Sequence, residues 1–500
     1  MFPDCAAYGD SQGPRVCILG GGFGGLYTAV RLESLMWPKG NKPRVTLIDQ
    51  SDRFVFKPLL YELLTGAATE DEVAPTFARL LAPYPVTFLQ GKVAAVQPDV
   101  TKQDGTSEGG GAVLLQNGLS VPYDWLVLAL GSETNTFGVP GVKELALPFS
   151  TYSDAMRVIE RLEVLEANVM HPEVVVVGGG YAGVEVAAVI AERLAGRARI
   201  KLLTAGPQIL ETSTEGQREA ALAALQDKGI SILTGASVAQ LVRAGAHPPL
   251  DADADLSKRV VYVTDRLGQQ EIIEADLVVW AAGSSPVPKV EAGNLSIPFP
   301  TNARGATQTD PTLRVLGHPR VFALGDVAMS RSGASVGAGA GGDLTAGQQL
   351  PATAQVAFQQ ADYVAWNLWS AINNKPLLNF SYQHLGDMMS LGTTNGAVAL
   401  PFSVPPPLSS AAQTGPLGEL LRAAGVRITP TGLNDGVTVE GPLAAALRRV
   451  AYLYRQPTDE QRVRVAASWA QQAAKQAAGL AQQVLTGVAP RDGRTGGSNS

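Results

Sequence analysis

The sequence predicts an α/β fold with two Rossmann-like dinucleotide-binding domains, the second inserted in the first, followed by an α-rich C-terminal segment. Three observations carry this. CILGGGFGGLYTA (residues 17–29) and VVVVGGGYAGVEVA (174–187) each place glycines in the G-x-G-x-x-G spacing between a β-branched run and a helical pattern. Three further segments, YDWLVLALGSETN (123–135), ADLVVWAAGSSP (275–286) and VFALGDVA (321–328), each read as a buried strand ending in a small-residue turn.

In the first unit the glycines are Gly20, Gly22 and Gly25, preceded by the strand VCIL. After them, Leu26, Ala29, Val30 and Leu32 fall at helical spacing. RVTLIDQ (44–50) is the next strand, and Asp49 at its end is placed to accept hydrogen bonds from a ribose. The second unit repeats the frame with Gly178, Gly180 and Gly183, a helix over 184–194, and the strand RIKLLTA (199–205). Thr204 stands where the ribose acid is expected. Without that carboxylate a 2′-phosphate is less disfavoured, and Arg197, Arg199 and Lys201 are nearby cations. The turns of the closing strands offer Gly131 to the first unit and Gly283 to the second. Asp326, after Gly325, suits a polyol chain. Together these point to FAD held in the first cradle and NAD(P)H visiting the second. The boundaries are 14–150 with 296–375 for the FAD-binding domain, 151–295 for the NAD(P)H-binding domain, and 376–500 for the C-terminal segment.

Bulk composition excludes several classes. The chain has 500 residues, 45% of them hydrophobic, enough for a large core. A net charge of −6 argues against a nucleic-acid partner. There are two cysteines, Cys5 and Cys17, and four histidines, with no C-x-x-C or H-E-x-x-H, so no metal site is expected. No run of 18 apolar residues occurs, so no membrane-spanning helix is expected, and the N-terminus has no clear targeting peptide.

RFVFKPLLYELLTG (53–66), GHPRVFALGD (317–326) and LPATAQVAFQQAD (350–362) resemble type II NAD(P)H dehydrogenases, single-subunit flavoproteins that pass electrons from NAD(P)H through FAD to a quinone. AINNKPLLNFSYQHLGDMMSLG (371–392) and TDEQR (458–462) are similar to the plant and cyanobacterial C1-type branch. The likeness runs from about Arg15 to Leu485 and weakens at 241–258, 329–349 and 401–435. It implies an NAD(P)H:quinone oxidoreductase working by ping-pong hydride transfer on a plastoquinone or phylloquinone. The absence of cysteine after position 17 removes the dithiol and sulfide–quinone chemistry of the wider superfamily. Two rivals stand beside this: a reductase of an electron-carrier protein, and a redox-sensing interaction protein similar to apoptosis-inducing factors.

The resemblance also assigns residues. Pro351 should open a helix whose end, at Thr353, Ala354 and Gln355, faces the flavin pyrimidine and stabilises negative charge there. Gln355 and Gln359, four apart, would border the quinone pocket. Lys57 and Pro58 belong to a loop running past the isoalloxazine ring, and Glu185 is the acid beside the nicotinamide. Phe358 and Leu385 stand where some relatives carry His and Lys.

PLAAALRRVAYLYR (442–455) sets Leu443, Leu447, Val450 and Tyr454 on one face, and a second helix at about 461–486 carries Trp469, Ala473, Leu480 and Val484. Five arginines and two acids lie between Pro442 and Arg464, a pattern suited to resting on anionic lipid without spanning it. The same face could pack on the protein body or form a homodimer. By resemblance the protein is a peripheral membrane enzyme of the chloroplast (thylakoid or plastoglobule) or of a cyanobacterial membrane.

Overall fold

The computed structural model describes residues 13–98, 100–101, 107–244, 257–287, 297–329, 331–332, 348–400, 419–420, 423, 426–428 and 437–486. The first glycine unit builds a five-stranded parallel sheet in the order Val321–Ala323, Trp125–Leu128, Arg15–Leu19, Arg44–Asp49, Val86–Gln90. The second builds another, in the order Leu147–Pro148, Leu277–Trp280, Glu173–Val177, Arg199–Thr204, Ser231–Thr234. The central strands are continuous apolar runs because both faces are covered, one by helices and the other by a three-stranded antiparallel sheet (Val93–Gln97, Ala112–Leu115 and Ser120–Pro122 in the first unit, Ser237–Arg243, Arg259–Thr264 and Gln270–Ala275 in the second); Val174, Val175, Val176 and Val177 are all buried. In each sheet the glycine turn follows the central strand at its carboxyl end, the edge where such sheets take ligands.

The chain leaves the first sheet after Trp125–Leu128 and returns beside that strand at Val321–Ala323, so the second unit is an insertion. Antiparallel pairing of Ser132–Thr134 with Ser284–Pro286 ties the two exits together. Helix α1 (Phe23–Ser34) follows the first glycine turn and α2 (Tyr181–Arg193) the second, while α3 (Ala354–Ile372) packs along α1. One buried core, with Leu26 and Leu32 of α1, Val184 and Ile190 of α2, and Val364 and Leu368 of α3, runs through both units.

The two expected C-terminal helices are present as α4 (Gly441–Tyr454) and α5 (Asp459–Thr486). They do not stand alone. A four-stranded antiparallel sheet, ordered Asp387–Ser390, Gly396–Leu400, Val437–Glu440, Val426–Ile428, precedes both and packs against α4. Strands this short give no period for a sequence reading to catch. The three divergent stretches fall largely outside the described residues, as do the side chains of Leu480 and Val484.

Candidate active site

Both glycine turns have the geometry of a phosphate cradle. Gly20 has φ +97° and Gly178 φ +123°, a region that side chains rarely enter. A Cβ on Gly25 would sit 1.8 Å from the Gly20 carbonyl, and one on Gly183 equally close to that of Gly178, so helix and turn touch through bare backbone. The middle glycines differ: a Cβ on Gly22 or Gly180 would meet nothing within 4 Å. Neither α1 nor α2 has a side-chain cap at its N-terminus. Open space beside uncapped N–H groups at a helix start fits the pyrophosphate of a dinucleotide.

Asp49 closes the first cradle. Its carboxylate accepts the Gly21 N–H at 2.6 Å and the Ser51 N–H at 2.8 Å. Burial pushes its pKa up, and these bonds oppose the rise. Asp326 accepts the hydroxyl of Ser132 at 2.7 Å, which brings the two predicted flavin residues Gly131 and Asp326 to one edge. The sequence reading missed Gln360. It is wholly buried on α3, and its Oε1 accepts the Gly325 N–H at 2.7 Å, locking the turn that carries Asp326. Lys57 and Pro58 open a 3₁₀-helix, Lys57–Thr65, with Pro58 in its first turn.

That 3₁₀-helix packs on α2 and delivers Tyr61 to Glu185. Glu185, on α2, is 6% exposed and accepts the Tyr61 hydroxyl at 2.6 Å and the Ser390 N–H at 2.9 Å, both on Oε1. Burial, partly offset by those bonds, lifts its pKa to about 7. A carboxyl poised near neutrality is suited to exchanging a proton. Tyr61 and Ser390 were not foreseen; they lie far from Glu185 in the chain. Cys17 is buried in the first sheet, where burial pushes its thiol up to about 12.

Residues 14–361 match the family described as pyridine nucleotide-disulphide oxidoreductase. The chain is 43% identical to an alternative NAD(P)H-ubiquinone oxidoreductase C1, chloroplastic/mitochondrial, of Arabidopsis thaliana, with 97% of this chain and 86% of that one covered. It is 37% identical to the demethylphylloquinone reductase NdbB of Synechocystis, covering 91% and 95%. Among solved structures, NDH2 from Plasmodium falciparum in complex with NADH is similar at a TM-score of 0.63 and 18% identity, covering 90% and 96%, a likeness of fold. The chain belongs to the pyridine nucleotide-disulphide oxidoreductases, in their type II NAD(P)H:quinone oxidoreductase branch.

In this type II protein, α3 starts at Ala354 with Thr353 as cap, the Thr353 side chain accepting the Val356 N–H at 3.3 Å. Pro351 was expected inside the first turn; it lies two residues before the cap, because the threonine hydroxyl supplies the better start. Gln355 and Gln359 do share a side, and both amides are engaged. Gln355 accepts the Tyr382 hydroxyl at 2.5 Å and the Leu385 N–H at 3.0 Å and donates to the Gly386 carbonyl at 2.9 Å. Gln359 pairs with both backbone groups of Gln383, at 2.8 and 3.0 Å. The two glutamines thus hold segment 382–386 against the start of α3. Phe358, between them, lies under the Arg455 guanidinium, 4.0 Å from its ring centre.

The second cradle ends at Thr204, whose side chain covers Gly179: a Cβ there would sit 2.6 Å from its Oγ1. An acid reaches this loop from elsewhere. A Cβ on Gly206 would be 1.6 Å from Glu211 Oε1, so a carboxylate lies over the backbone two residues past Thr204. Of the cations noted from sequence, Arg199 pairs with Glu173 at 2.7 Å and Lys201 with Glu271 at 3.7 Å. Gly283, at φ +69°, packs under the ring of Phe137.

Proposed function

We propose that this protein is an FAD-containing NAD(P)H:quinone oxidoreductase that reduces a membrane quinone of plastoquinone or phylloquinone type by alternating half-reactions. The observation that carries the reading is a pair of intact, open cradles in a chain with no cysteine beyond position 17. FAD would be held by Gly20, Gly22, Gly25 and Asp49 at one end, and by Gly131, Asp326 and the start of α3 at Ala354 at the other. Bound flavin supplies the hydride-accepting chemistry. NAD(P)H would lie along Gly178, Gly180, Gly183, Thr204 and Gly283, with Glu185 beside its reactive end. Lys57 and Pro58 border the flavin, and Gln355 and Gln359 shape the quinone side. Electrons then leave to an acceptor that needs no thiol relay.

Attachment to a membrane surface belongs to the same proposal. Leu443, Leu447, Val450 and Tyr454 project from α4 uncovered, between 40% and 67% exposed. Among the described residues no helix is long and apolar enough to cross a membrane. The arginines, by contrast, are only in part available to lipid. Arg448 is buried, Arg449 reaches Glu62, and Arg462 and Arg464 pair with Asp459 and Glu460. The foot would therefore rest on apolar contact more than on charge. A plastid or cyanobacterial membrane is the setting its relatives suggest.

The test is anaerobic. NAD(P)H should bleach the yellow absorbance of the purified protein, and a short-chain quinone should restore it. Bleaching without restoration, but with electrons passing to an iron–sulfur carrier protein, would favour the carrier-reductase reading.

A further inference from the structure

Glu185 belongs to a larger buried cluster, part of which comes from the C-terminal helix. Glu62 follows Tyr61 on the 3₁₀-helix and is 1% exposed. Arg448 of α4 reaches it: Nη2 lies 2.5 Å from Glu62 Oε1, and the arginine itself is 0% exposed. Arg449, half-buried, approaches the other Glu62 oxygen at 3.3 Å and stacks on Trp469 of α5. The Arg448 guanidinium also lies 5.3 Å from the ring centre of Tyr452, which packs edge-on against Phe56.

A simple anchor does not need this arrangement. Helix α4 already buries Ala444 and Ala445 beside the C-terminal sheet. A buried ion pair is commonly no more stabilising than apolar side chains of the same size. Here two guanidinium nitrogens, Nε and Nη1, are buried without a partner, which makes the cation more costly still. What the charge does supply is a field. Glu62 opposes ionisation of Glu185, Arg448 favours it, and the buried surroundings screen neither well. The titratable and charged groups around Glu185 are Tyr61 and Glu62 from the 3₁₀-helix, Tyr181 from α2 itself, and Arg448 and Tyr452 from α4.

We propose that Arg448, carried in by the C-terminal helix, is a positioning residue of the redox site: by compensating Glu62 it keeps Glu185 able to ionise next to the nicotinamide. The C-terminal segment is then part of the catalytic centre as well as its attachment to a surface. The inference rests on the proposed place of Glu185 beside the nicotinamide, and it makes no use of the quinone side.

The experiment follows the Glu185 carboxyl directly, by its C=O stretch in pH-titrated infrared difference spectra of the flavin-loaded protein, with Glu185→Gln as the blank. In parallel, anaerobic flavin reduction by NAD(P)H is timed across the same pH range. In Arg448→Met the carboxyl midpoint should rise by about one pH unit or more, and the pH profile of flavin reduction should move with it. Arg448→Lys, which keeps the charge, should stay near the wild type. Should Arg448→Met lose its flavin or fail to fold, Arg448→Met/Glu62→Gln removes both partners and leaves neither orphaned; its midpoint should fall between the two. A folded variant without Arg448, less heat-stable but with both midpoints unmoved, overturns the proposal and leaves the pair as a mere anchor. So does a wild-type pH profile that Glu185→Gln leaves unchanged. Failure of the protein to reduce any quinone, with these shifts intact, would sink the quinone reading and leave this one standing.

Discussion

The side-chain amide of Gln360 accepts the backbone N–H of Gly325 at 2.7 Å, joining the first turns of α3 to the turn that carries Asp326. Gly325, at φ +71°, lies just past the strand Val321–Ala323, and Gln360 is 0% exposed. Gln360→Leu would leave a part-buried donor unmatched, at a cost of about 1–3 kcal/mol. The expected result is a lower melting temperature and a reduced flavin-to-protein absorbance ratio after gel filtration. Gln360→Glu keeps an acceptor and should retain more flavin. Equal retention by Gln360→Leu and the wild type would show that the turn is held without this bond.

Glu185 should mark the pH dependence of stability. Its folded pKa, about 7, lies above its ordinary value of 4.5, so between those limits the native state holds a proton that the unfolded chain has released. The sign follows. The contribution is fully present below about pH 4.5 and is lost as pH rises through 7, amounting to roughly 3 kcal/mol in all. The difference in unfolding free energy between wild type and Glu185→Gln, measured by denaturant titration, should therefore shift against the wild type from pH 5 to pH 8. A constant difference would mean that Glu185 ionises in the fold as easily as in the open chain.

How far all this was legible in the sequence depends on range. The cradles were legible because everything that makes them, from Gly20 to Gly25 and from Gly178 to Gly183, is local, and Asp49 follows within one strand–helix–strand unit. The carboxyl cluster was not. Glu185 is singled out by the resemblance alone, and its partner Tyr61 lies 124 residues away, with Arg448 farther still. Arg448 and Arg449 show the same limit: both are plain in the sequence, while Glu62, the partner that draws them inward, lies 386 and 387 residues away and is brought there by tertiary packing. Glu211 is a third case. The strand ending in Thr204 correctly lacks a terminal acid, yet the loop folds a later one back over Gly206.

Cofactor preference should reveal which of those two residues matters. At the proposed NAD(P)H site Thr204 would leave room for a 2′-phosphate, and Glu211 would oppose it from the loop. Thr204→Glu should lower kcat/KM for NADPH relative to NADH by about tenfold, the size of one added charge repulsion near the surface. Glu211→Gln should move the ratio the other way by a similar factor. If Glu211→Gln leaves the ratio unchanged, its carboxylate turns away from the ribose in solution.

Membrane attachment through α4 can be tested on its uncovered face. Val450 and Tyr454 are each 67% exposed, so replacing both by glutamate should cost the fold little. Each apolar side chain taken out of a bilayer interface forfeits on the order of 1.5–3 kcal/mol. Val450→Glu/Tyr454→Glu should therefore abolish co-sedimentation with phosphatidylglycerol vesicles while leaving reduction of a water-soluble quinone intact. Loss of a dimer in light scattering, with vesicle binding unchanged, would instead assign the face to a second copy of the chain.

The proposed quinone side turns on Gln355. Its Oε1 accepts from Tyr382 and from the Leu385 N–H, and its Nε2 donates to Gly386, so the amide fixes segment 382–386 and has one N–H left to offer. A quinone head group wedged between that segment and the flavin would meet that N–H, and neither Phe358 nor Leu385 has a side chain that can donate in its place. Gln355→Leu removes the donor and the clamp together. Losing one neutral hydrogen bond made in the transition state costs about 0.5–1.5 kcal/mol, up to roughly tenfold in rate, and loosening the segment adds to that. Tyr382→Phe removes one strand of the clamp and leaves the donor. In stopped-flow measurements under nitrogen, Gln355→Leu should slow reoxidation of the flavin by a short-chain quinone while NAD(P)H reduces it at the wild-type rate. Tyr382→Phe should slow reoxidation less. If the two variants slow it equally, the clamp alone accounts for the effect and the amide makes no bond to the quinone. If the NAD(P)H step falls instead, the start of α3 serves the nicotinamide face, and the two sides of the flavin are assigned the wrong way round.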